Sequence, residues 1–192
     1  MNDTKGTKAG AGDARARLQT AALALFKEQG YDSVTAAQIA AVAGVTERTF
    51  FRHFPDKREV VFQGEAVLRD ALTAAVADAA PGQPPLAVLF RAFHAVVPLL
   101  EGNREVSVPL AEVIAQTPAL QEREAAKMVT LGDALAGALE RRGTPPLHAA
   151  LAARTGLGAF VHAVGAWLPD PRPSLGERLT EAEAALRQVL ET

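Results

Sequence analysis

The sequence predicts an all-α protein of about nine helices, and two observations carry this prediction. Apolar residues recur three and four positions apart through most of the 192-residue chain, which is the spacing of one helix face. Clusters of Pro and Gly interrupt the pattern at residues 81–85, 143–146 and 169–173, as helix ends do. The alternation with a period of two that marks a half-buried strand is not evident in the sequence.

The N-terminus is predicted to begin with a disordered arm, residues 1–12, which is rich in Gly and lacks an apolar period. In the alternative interpretation, the basic side chains in and just after this stretch, Lys5, Lys8, Arg15 and Arg17, add phosphate or minor-groove contacts. A first helix is expected from Asp13 or Ala14 to about Gln29, where Gly30 ends it. Its buried face is predicted to contain Leu18, Ala22, Leu25 and Phe26.

The stretch VTAAQIAAVAGVTERTFFRHFPDK, residues 34–57, predicts two short helices joined by a tight turn. Thr35 can cap a helix over 36–43, because its hydroxyl accepts an otherwise unpaired helix N–H. Gly44 suits the left-handed turn after that helix, and Thr46 can cap the next one. The proline that follows Phe54 ends the second helix. Two short helices joined through such a turn form a helix-turn-helix.

A helix-turn-helix suits DNA because the major groove admits one helix and displays a distinct donor and acceptor pattern for each base pair. The second helix offers its N-terminal residues to the bases. Here that side presents polar and basic groups, while Phe50 and Phe54 form the buried stripe. The pattern A-x-x-A-G-V-T alone also fits a small three-helix core without a DNA-binding role. The outward residues are Thr46, Glu47, Arg48, Thr49, Arg52 and His53.

The order of residues around this motif resembles the DNA-binding domain of the TetR family of bacterial repressors. The resemblance covers about residues 15–60. The segment that carries the resemblance contains Phe26, Gly30, Tyr31, Val34, Thr35, Ile39, Ala40, Ala43, Gly44, Val45, Thr46, Thr49, Phe50, Phe51, Phe54 and Lys57, and all of these except Phe51 match the family pattern.

The resemblance implies roles for individual residues in DNA binding. Positions that face base edges are occupied by Thr46, Glu47, Arg48 and Arg52. Positions that contact the sugar-phosphate backbone are occupied by Thr35, Thr49, His53 and Lys57. The sequence departs from the family at Phe51, where Tyr is usual, so that ring packing replaces a phenol-to-phosphate hydrogen bond.

The remainder of the chain, 61–192, is predicted to form a helical effector-binding and dimerisation domain, after a helix-turn-helix domain over 13–60. Helices are expected at about 56–79, 86–100, 104–115, 118–142, 147–168 and 174–190.

By resemblance, the middle helices of this second domain enclose a ligand cavity and the last two form a dimer interface. Small residues along the penultimate helix permit close helix packing and favour an interface, although an ordinary intramolecular core also explains them. Candidates for the dimer interface are Gly158, Val161 and Gly165. Candidates for the cavity are Phe93, His94, Val97, Met128, Leu131, Phe160 and Trp167.

Composition narrows the class of function. The chain has no Cys, its four His show no metal-ligand spacing, and no catalytic or phosphate-loop motif is present, so no cofactor, metal site or enzymatic activity is expected. No secretory signal or long uninterrupted apolar run is evident, so we expect a cytoplasmic protein without a membrane partner. Residues 1–60 carry nine Lys and Arg against seven Asp and Glu, a small excess that favours phosphate contact.

The sequence therefore predicts a transcriptional regulator, specifically a ligand-responsive repressor that acts as a homodimer on a palindromic operator. Its expected partners are double-stranded DNA, a second copy of itself, and a small apolar or amphipathic effector. A DNA-binding protein without an effector and an activator are the alternatives that the sequence leaves open.

Overall fold

The computed structural model describes the backbone of residues 6–191 and the side chains of 14–189. This part of the chain is all helical, which confirms the predicted fold class. A short 3-10 turn, Arg58–Val60, lies between the third and fourth helices. The helices are α1 (Gly6–Gln29), α2 (Ala36–Val42), α3 (Glu47–His53), α4 (Glu65–Ala77), α5 (Pro85–Ala95), α6 (Val97–Gly102), α7 (Arg104–Gln116), α8 (Pro118–Arg141), α9 (Pro146–Trp167) and α10 (Leu175–Glu191).

The chain divides into two compact units, each with its own apolar core. Unit 1 contains the described residues up to Gln63 together with Pro109–Gln121. Unit 2 contains Gly64–Val108 and the described residues from Glu122 onward.

The core of unit 1 is built from one face of each of its first three helices. Leu18 of α1, Ile39 of α2 and Phe50 of α3 are fully buried. Phe54 packs beside Phe50 with 5.7 Å between ring centroids. The helix-turn-helix is therefore held by side chains from all three helices.

The second segment of unit 1 comes from the end of α7 and the start of α8. Val113 and Leu120 are buried in the unit 1 core, and Leu110 and Ile114 pack against it. The sequence predicts these residues to lie in the C-terminal domain. Their helical spacing reveals an apolar face, but spacing alone does not identify which core that face covers.

Unit 2 is centred on α5 and α9. Phe93 of α5 stacks on Phe160 of α9 with 4.6 Å between ring centroids. At Gly156 the two helices approach so closely that an added Cβ would lie 3.2 Å from Leu89. Other buried side chains of this core include Leu72, Val76, Leu131, Leu135, Trp167, Leu175 and Leu179.

Three helix boundaries differ from the predictions. The first helix begins at Gly6 instead of Asp13, so residues 6–12 extend it, while the remainder of the predicted arm, residues 1–5, lies outside the described residues. Extending an existing helix costs less free energy than nucleating a new one, and the Ala residues of this stretch favour the helical conformation. The predicted helix over 86–100 is divided after α5, because Pro98 has no N–H to continue the ladder and instead lies in the first turn of α6.

The fourth helix begins at Glu65, nine residues later than predicted. Asp56 accepts hydrogen bonds from the N–H groups of Arg58 (2.8 Å) and Glu59 (3.2 Å), which caps the 3-10 turn. The three consecutive residues 60–62 are all buried in the unit 1 core. A single helix face cannot bury three consecutive side chains, so the chain turns here before α4 starts.

Two segments have the length and composition of a membrane span, Pro85–Gly102 and Pro146–Trp167. Both supply core residues of unit 2, including the stacked rings of Phe93 and Phe160. Core helices of soluble proteins pass the same test of length and composition, so this finding is weak evidence for a membrane segment.

Candidate nucleic-acid interface

The N-terminus of α2 is fixed by a capping box. The hydroxyl of Thr35 accepts a hydrogen bond from the Gln38 N–H (3.2 Å), and the Gln38 side-chain oxygen accepts one from the Thr35 N–H (2.7 Å). Each side chain thereby accepts a hydrogen bond from the backbone N–H of the other residue, which would otherwise be unpaired at the start of the helix. Thr35 is exposed, as its predicted contact with phosphate requires.

The turn between α2 and α3 has the geometry of a Schellman motif. The Val45 N–H donates to the Ala40 carbonyl (2.9 Å), and the Gly44 N–H donates to Ala41 (3.1 Å). Gly44 has a φ of 67°, a left-handed conformation that a side chain disfavours. The turn sets the angle between the two helices.

The outer face of α3 carries the residues predicted to read bases. Thr46 caps the helix by accepting from the Thr49 N–H (3.2 Å), and their hydroxyls lie 3.0 Å apart. Glu47, Arg48 and Arg52 are exposed, and the described part of the chain offers none of them a hydrogen bond or ion pair. Their charged groups are thus available to a partner.

The inner and outer faces of α3 differ sharply at adjacent phenylalanines. Phe50 is fully buried, whereas 51% of Phe51 is exposed. The two rings meet edge to face with 5.3 Å between centroids. Phe51 therefore presents an apolar ring at the surface, as the predicted packing against a sugar-phosphate chain requires.

A group of basic side chains lies at the C-terminal end of α3. Burial, and then the positive charges of Arg52 and Arg15, lower the pKa of His53 below its ordinary value, so His53 is neutral near pH 7. Its Nε2 is buried without a hydrogen-bond partner. The Arg15 guanidinium lies 4.8 Å from the centroid of the Phe54 ring. The sequence indicates Arg52 and His53 as DNA contacts by family resemblance, and Arg15 as a phosphate or minor-groove contact in the alternative interpretation of the N-terminal arm.

Lys57 makes internal contacts that its predicted role as a contact to the DNA backbone does not describe. Its ammonium donates hydrogen bonds to the carbonyls of Tyr31 (2.8 Å), Val34 (3.0 Å) and Asp32 (3.4 Å). It also lies 4.2 Å from the centroid of the Tyr31 ring. The side chain therefore points into unit 1, toward the turn that precedes α2.

The pKa of the Tyr31 hydroxyl should depend on this environment, so its titration can test this part of the structure. Burial, and then the negative charge of Asp56, raise its pKa from 10.0 to about 12. Below pH 10 the hydroxyl is protonated in folded and unfolded chains alike. As the pH rises from 10 to 12 the unfolded chain loses the proton first, so the stability of unit 1 should fall in this window.

The measurement is a titration of tyrosinate absorbance, which is specific because Tyr31 is the single tyrosine of the sequence. We expect a midpoint near 12 in the folded protein and near 10 in denaturant. A folded midpoint equal to the denatured one would contradict the buried position of the hydroxyl.

Together, the capped helix pair, the left-handed turn and the exposed polar face of α3 define a helix-turn-helix DNA-binding domain. The family described as "Bacterial regulatory proteins, tetR family" matches residues 18–63, and the MftR C-terminal domain matches residues 83–191. The chain belongs to the TetR family of transcriptional regulators. Membership of this family places it among DNA-binding proteins and not among enzymes.

A curated relative is the HTH-type transcriptional regulator TcmR of Streptomyces glaucescens, which is 41% identical over 83 residues. That match covers 43% of this chain and 37% of the relative, so it spans little more than a third of the relative's length.

Solved structures of repressors resemble about nine-tenths of the chain. The Thermus thermophilus FadR complex with lauroyl-CoA is 25% identical, with a TM-score of 0.56 and coverage of 90% of this chain and 93% of that one. The complex of SmeT with triclosan is 21% identical, with a TM-score of 0.66 and coverage of 92% and 90%. SmeT is the repressor of a multidrug efflux pump in Stenotrophomonas maltophilia, and at this identity the likeness shows the fold alone.

The residues predicted to line an effector cavity lie in and beside the unit 2 core. Phe93, Leu131, Phe160 and Trp167 are buried, and the remaining three, His94, Val97 and Met128, are half-buried. None of the seven lines the surface groove of about 560 Å³ found elsewhere in unit 2. That groove is lined by Pro84, Pro85, Leu86, Thr144, Pro145, His148, Leu151, Ala152 and Thr155.

Arg104 is a polar neighbour of these residues that the sequence analysis missed. Its guanidinium lies 5.6 Å from the centroid of the Trp167 ring and donates to the Leu168 carbonyl (2.6 Å). Its Nε is buried without a hydrogen-bond partner. Apolar periodicity does not reveal such a residue, because its contacts are remote in sequence.

The residues predicted for a dimer interface share one exposed side of α9. Gly158, Val161 and Gly165 are all exposed, and a Cβ added at either glycine would meet no atom within 4 Å. Leu147 and Leu151 of the same helix are 69% and 56% exposed. Apart from Arg154, which is exposed on the same face, this side of α9 is apolar and open in the isolated protomer.

Proposed function

We propose that this protein is a cytoplasmic, ligand-responsive repressor that binds a palindromic operator as a homodimer. The observation that carries the DNA-binding part is the outer face of α3, where three charged side chains are exposed on a capped helix without intramolecular partners among the described residues. Family membership supports the regulatory role.

We propose roles for individual residues of this face from the family resemblance, and their exposure supports these roles. Arg48, in the first turn of α3, suits a bidentate contact to guanine. Glu47 suits the cytosine amine or the orientation of Arg48, and Arg52 extends the same face one turn further. Thr35, Thr49, His53 and Phe51 are proposed to contact the backbone of the operator. His53 would do so as a neutral group, without adding to the salt dependence of binding.

Homodimerisation is proposed through the exposed side of α9. Exposed apolar residues and glycines allow another helix to approach closely, and a two-fold axis would place the same residues of both copies against each other. The two helix-turn-helix domains of such a dimer would bind two half-sites related by the two-fold axis, so the operator should be a near-palindrome.

The proposed effector is a small apolar or amphipathic molecule. Two of the structural relatives are complexes with such compounds, lauroyl-CoA and triclosan. In this chain the aromatic side chains of Phe93, Phe160 and Trp167 would have to separate to admit it, with half-buried Val97 and Met128 at the edge. Effector binding would then change DNA affinity only through its preference for the opened arrangement.

Selection of bound sequences from random duplex DNA tests the proposal, with Arg48→Ala in parallel. The wild-type protein should enrich a near-palindrome. Arg48→Ala should lose discrimination at defined base pairs by about 1–3 kcal/mol. Arg172→Ala, which removes an exposed arginine of unit 2, is the control and should enrich the wild-type site. Failure of the wild-type protein to enrich any sequence at low salt would refute the proposal.

Ligand response is tested separately through Trp167, the single tryptophan of the sequence. Lauroyl-CoA and triclosan serve as probes, and an effector in the proposed cavity should change the tryptophan fluorescence and the operator affinity together. A protein whose operator affinity responds to neither probe would favour the alternative of a DNA-binding protein that acts without effector control.

A further inference from the structure

The Lys57 ammonium is bound inside unit 1 much as a metal cation is bound by carbonyl oxygens. An ammonium has three N–H donors and no acceptor. Three backbone carbonyls accept from it, at 2.8, 3.0 and 3.4 Å, and a tyrosine ring lies 4.2 Å away. The first two distances are normal for hydrogen bonds and the third is long. Two of the three N–H donors are therefore engaged in normal hydrogen bonds within unit 1, and the third is held weakly.

The three carbonyls belong to one short segment, residues 31–34, which joins α1 to α2. Within this segment the backbone makes one weak hydrogen bond, from the Val34 N–H to the Tyr31 carbonyl at 3.4 Å. The segment leads directly into Thr35, the N-cap of α2. Lys57 follows α3 in the sequence and therefore connects the entrance of the first helix of the motif to the exit of the second.

We propose that Lys57 is a positioning residue for DNA binding, which holds the N-terminus of α2 in register with α3 and does not contact DNA. The N-terminus of α2 carries Thr35, a proposed phosphate contact, so its placement relative to α3 determines whether both helices reach the duplex together. The effect on DNA affinity rests on the proposed function, whereas the internal bonds of Lys57 do not.

Chemical reactivity of the amine tests the internal site without DNA. In the wild-type protein, reductive methylation followed by mass spectrometry should modify Lys57 about tenfold more slowly than exposed Lys27, since reaction requires its hydrogen bonds to open. Addition of DNA should leave the Lys57 rate unchanged. Rapid methylation in the free protein, with protection only on addition of DNA, would overturn the proposal and make Lys57 a phosphate contact.

The salt dependence of binding distinguishes positioning from contact. Each phosphate contact by a cation contributes about 0.9 to the slope of log affinity against log salt concentration. Lys57→Met should lower operator affinity by about tenfold while the slope stays at its wild-type value. A slope that decreases by about one would overturn the proposal.

Hydrogen exchange separates positioning from general loss of structure. In Lys57→Met, faster amide exchange should be concentrated in residues 31–38, with α1 and α3 protected as in the wild type. Arg58→Met is the matched control, because Arg58 is exposed and pairs with Asp56, and it should leave affinity and exchange in residues 31–38 unchanged. If Lys57→Met does not fold, the methylation rates of the wild-type protein still decide the question. If the wild-type protein binds no DNA, the proposed function fails while the methylation result stands independently.

Discussion

Truncation of Phe50 to alanine is expected to lower the free energy of unfolding of unit 1 by about 3–5 kcal/mol. Phe50 is fully buried, and its ring contacts those of Phe51 and Phe54. Its removal takes away the side chain through which α3 packs against the other helices of unit 1. A loss of this size is a large part of the total stability of an ordinary domain. Denaturant unfolding followed by the fluorescence of Tyr31 measures it.

Phe51→Ala is the matched control, since it removes the same atoms from the neighbouring position of α3. Half of the Phe51 side chain is exposed, so its truncation should cost less than about 1 kcal/mol. It should nevertheless weaken operator binding if the ring packs against the sugar-phosphate chain. Equal destabilisation by the two truncations would contradict the described burial of α3.

Gly156→Val should destabilise unit 2 by about 1–3 kcal/mol. A Cβ at this position would lie 3.2 Å from Leu89 Cδ1 and 3.6 Å from both Leu86 Cδ2 and Phe93 Cε2. The two branches of valine add further atoms to the same space, so the side chains of Leu86, Leu89 and Phe93 must shift to admit them. Unfolding monitored by Trp167 fluorescence reports the loss, because Trp167 lies in the core of this unit.

The comparison variant is Gly158→Val, two residues along α9. No atom lies within 4 Å of a Cβ there, so the folded protomer should tolerate the change with an effect of less than about 0.5 kcal/mol. If this side of α9 is the dimer interface, the same variant should raise the dissociation constant of the dimer, which sedimentation measures. A dimer unaffected by Gly158→Val would place the interface elsewhere.

The helix-turn-helix could be predicted almost residue by residue because its determinants are local. Thr35 and Thr46 cap the helices that follow them, and Gly44 takes the left-handed conformation, each within a few residues of its partner. Phe50 and Phe54 are four positions apart, and both are buried. Local chemistry of this kind is visible in a single sequence.

Features that depend on remote contacts could not be predicted in the same way. The carbonyls that receive the Lys57 ammonium are 23 to 26 residues away in sequence. Similarly, Arg104 donates to a carbonyl 64 residues away. The position of an effector among packed aromatic rings is equally hidden, because the same periodicity describes a filled core and the lining of a cavity.

The composition of unit 1 has a consequence for how the protein is made. Because Val113 and Leu120 complete its core, a ribosome must have released residues up to about 121 before this unit can finish folding. A fragment that stops at residue 63 would leave the apolar residues that they cover open to water. The nascent N-terminal helices would therefore remain partly assembled while residues 64–121 are synthesised, a period in which their apolar surface is accessible to chaperones.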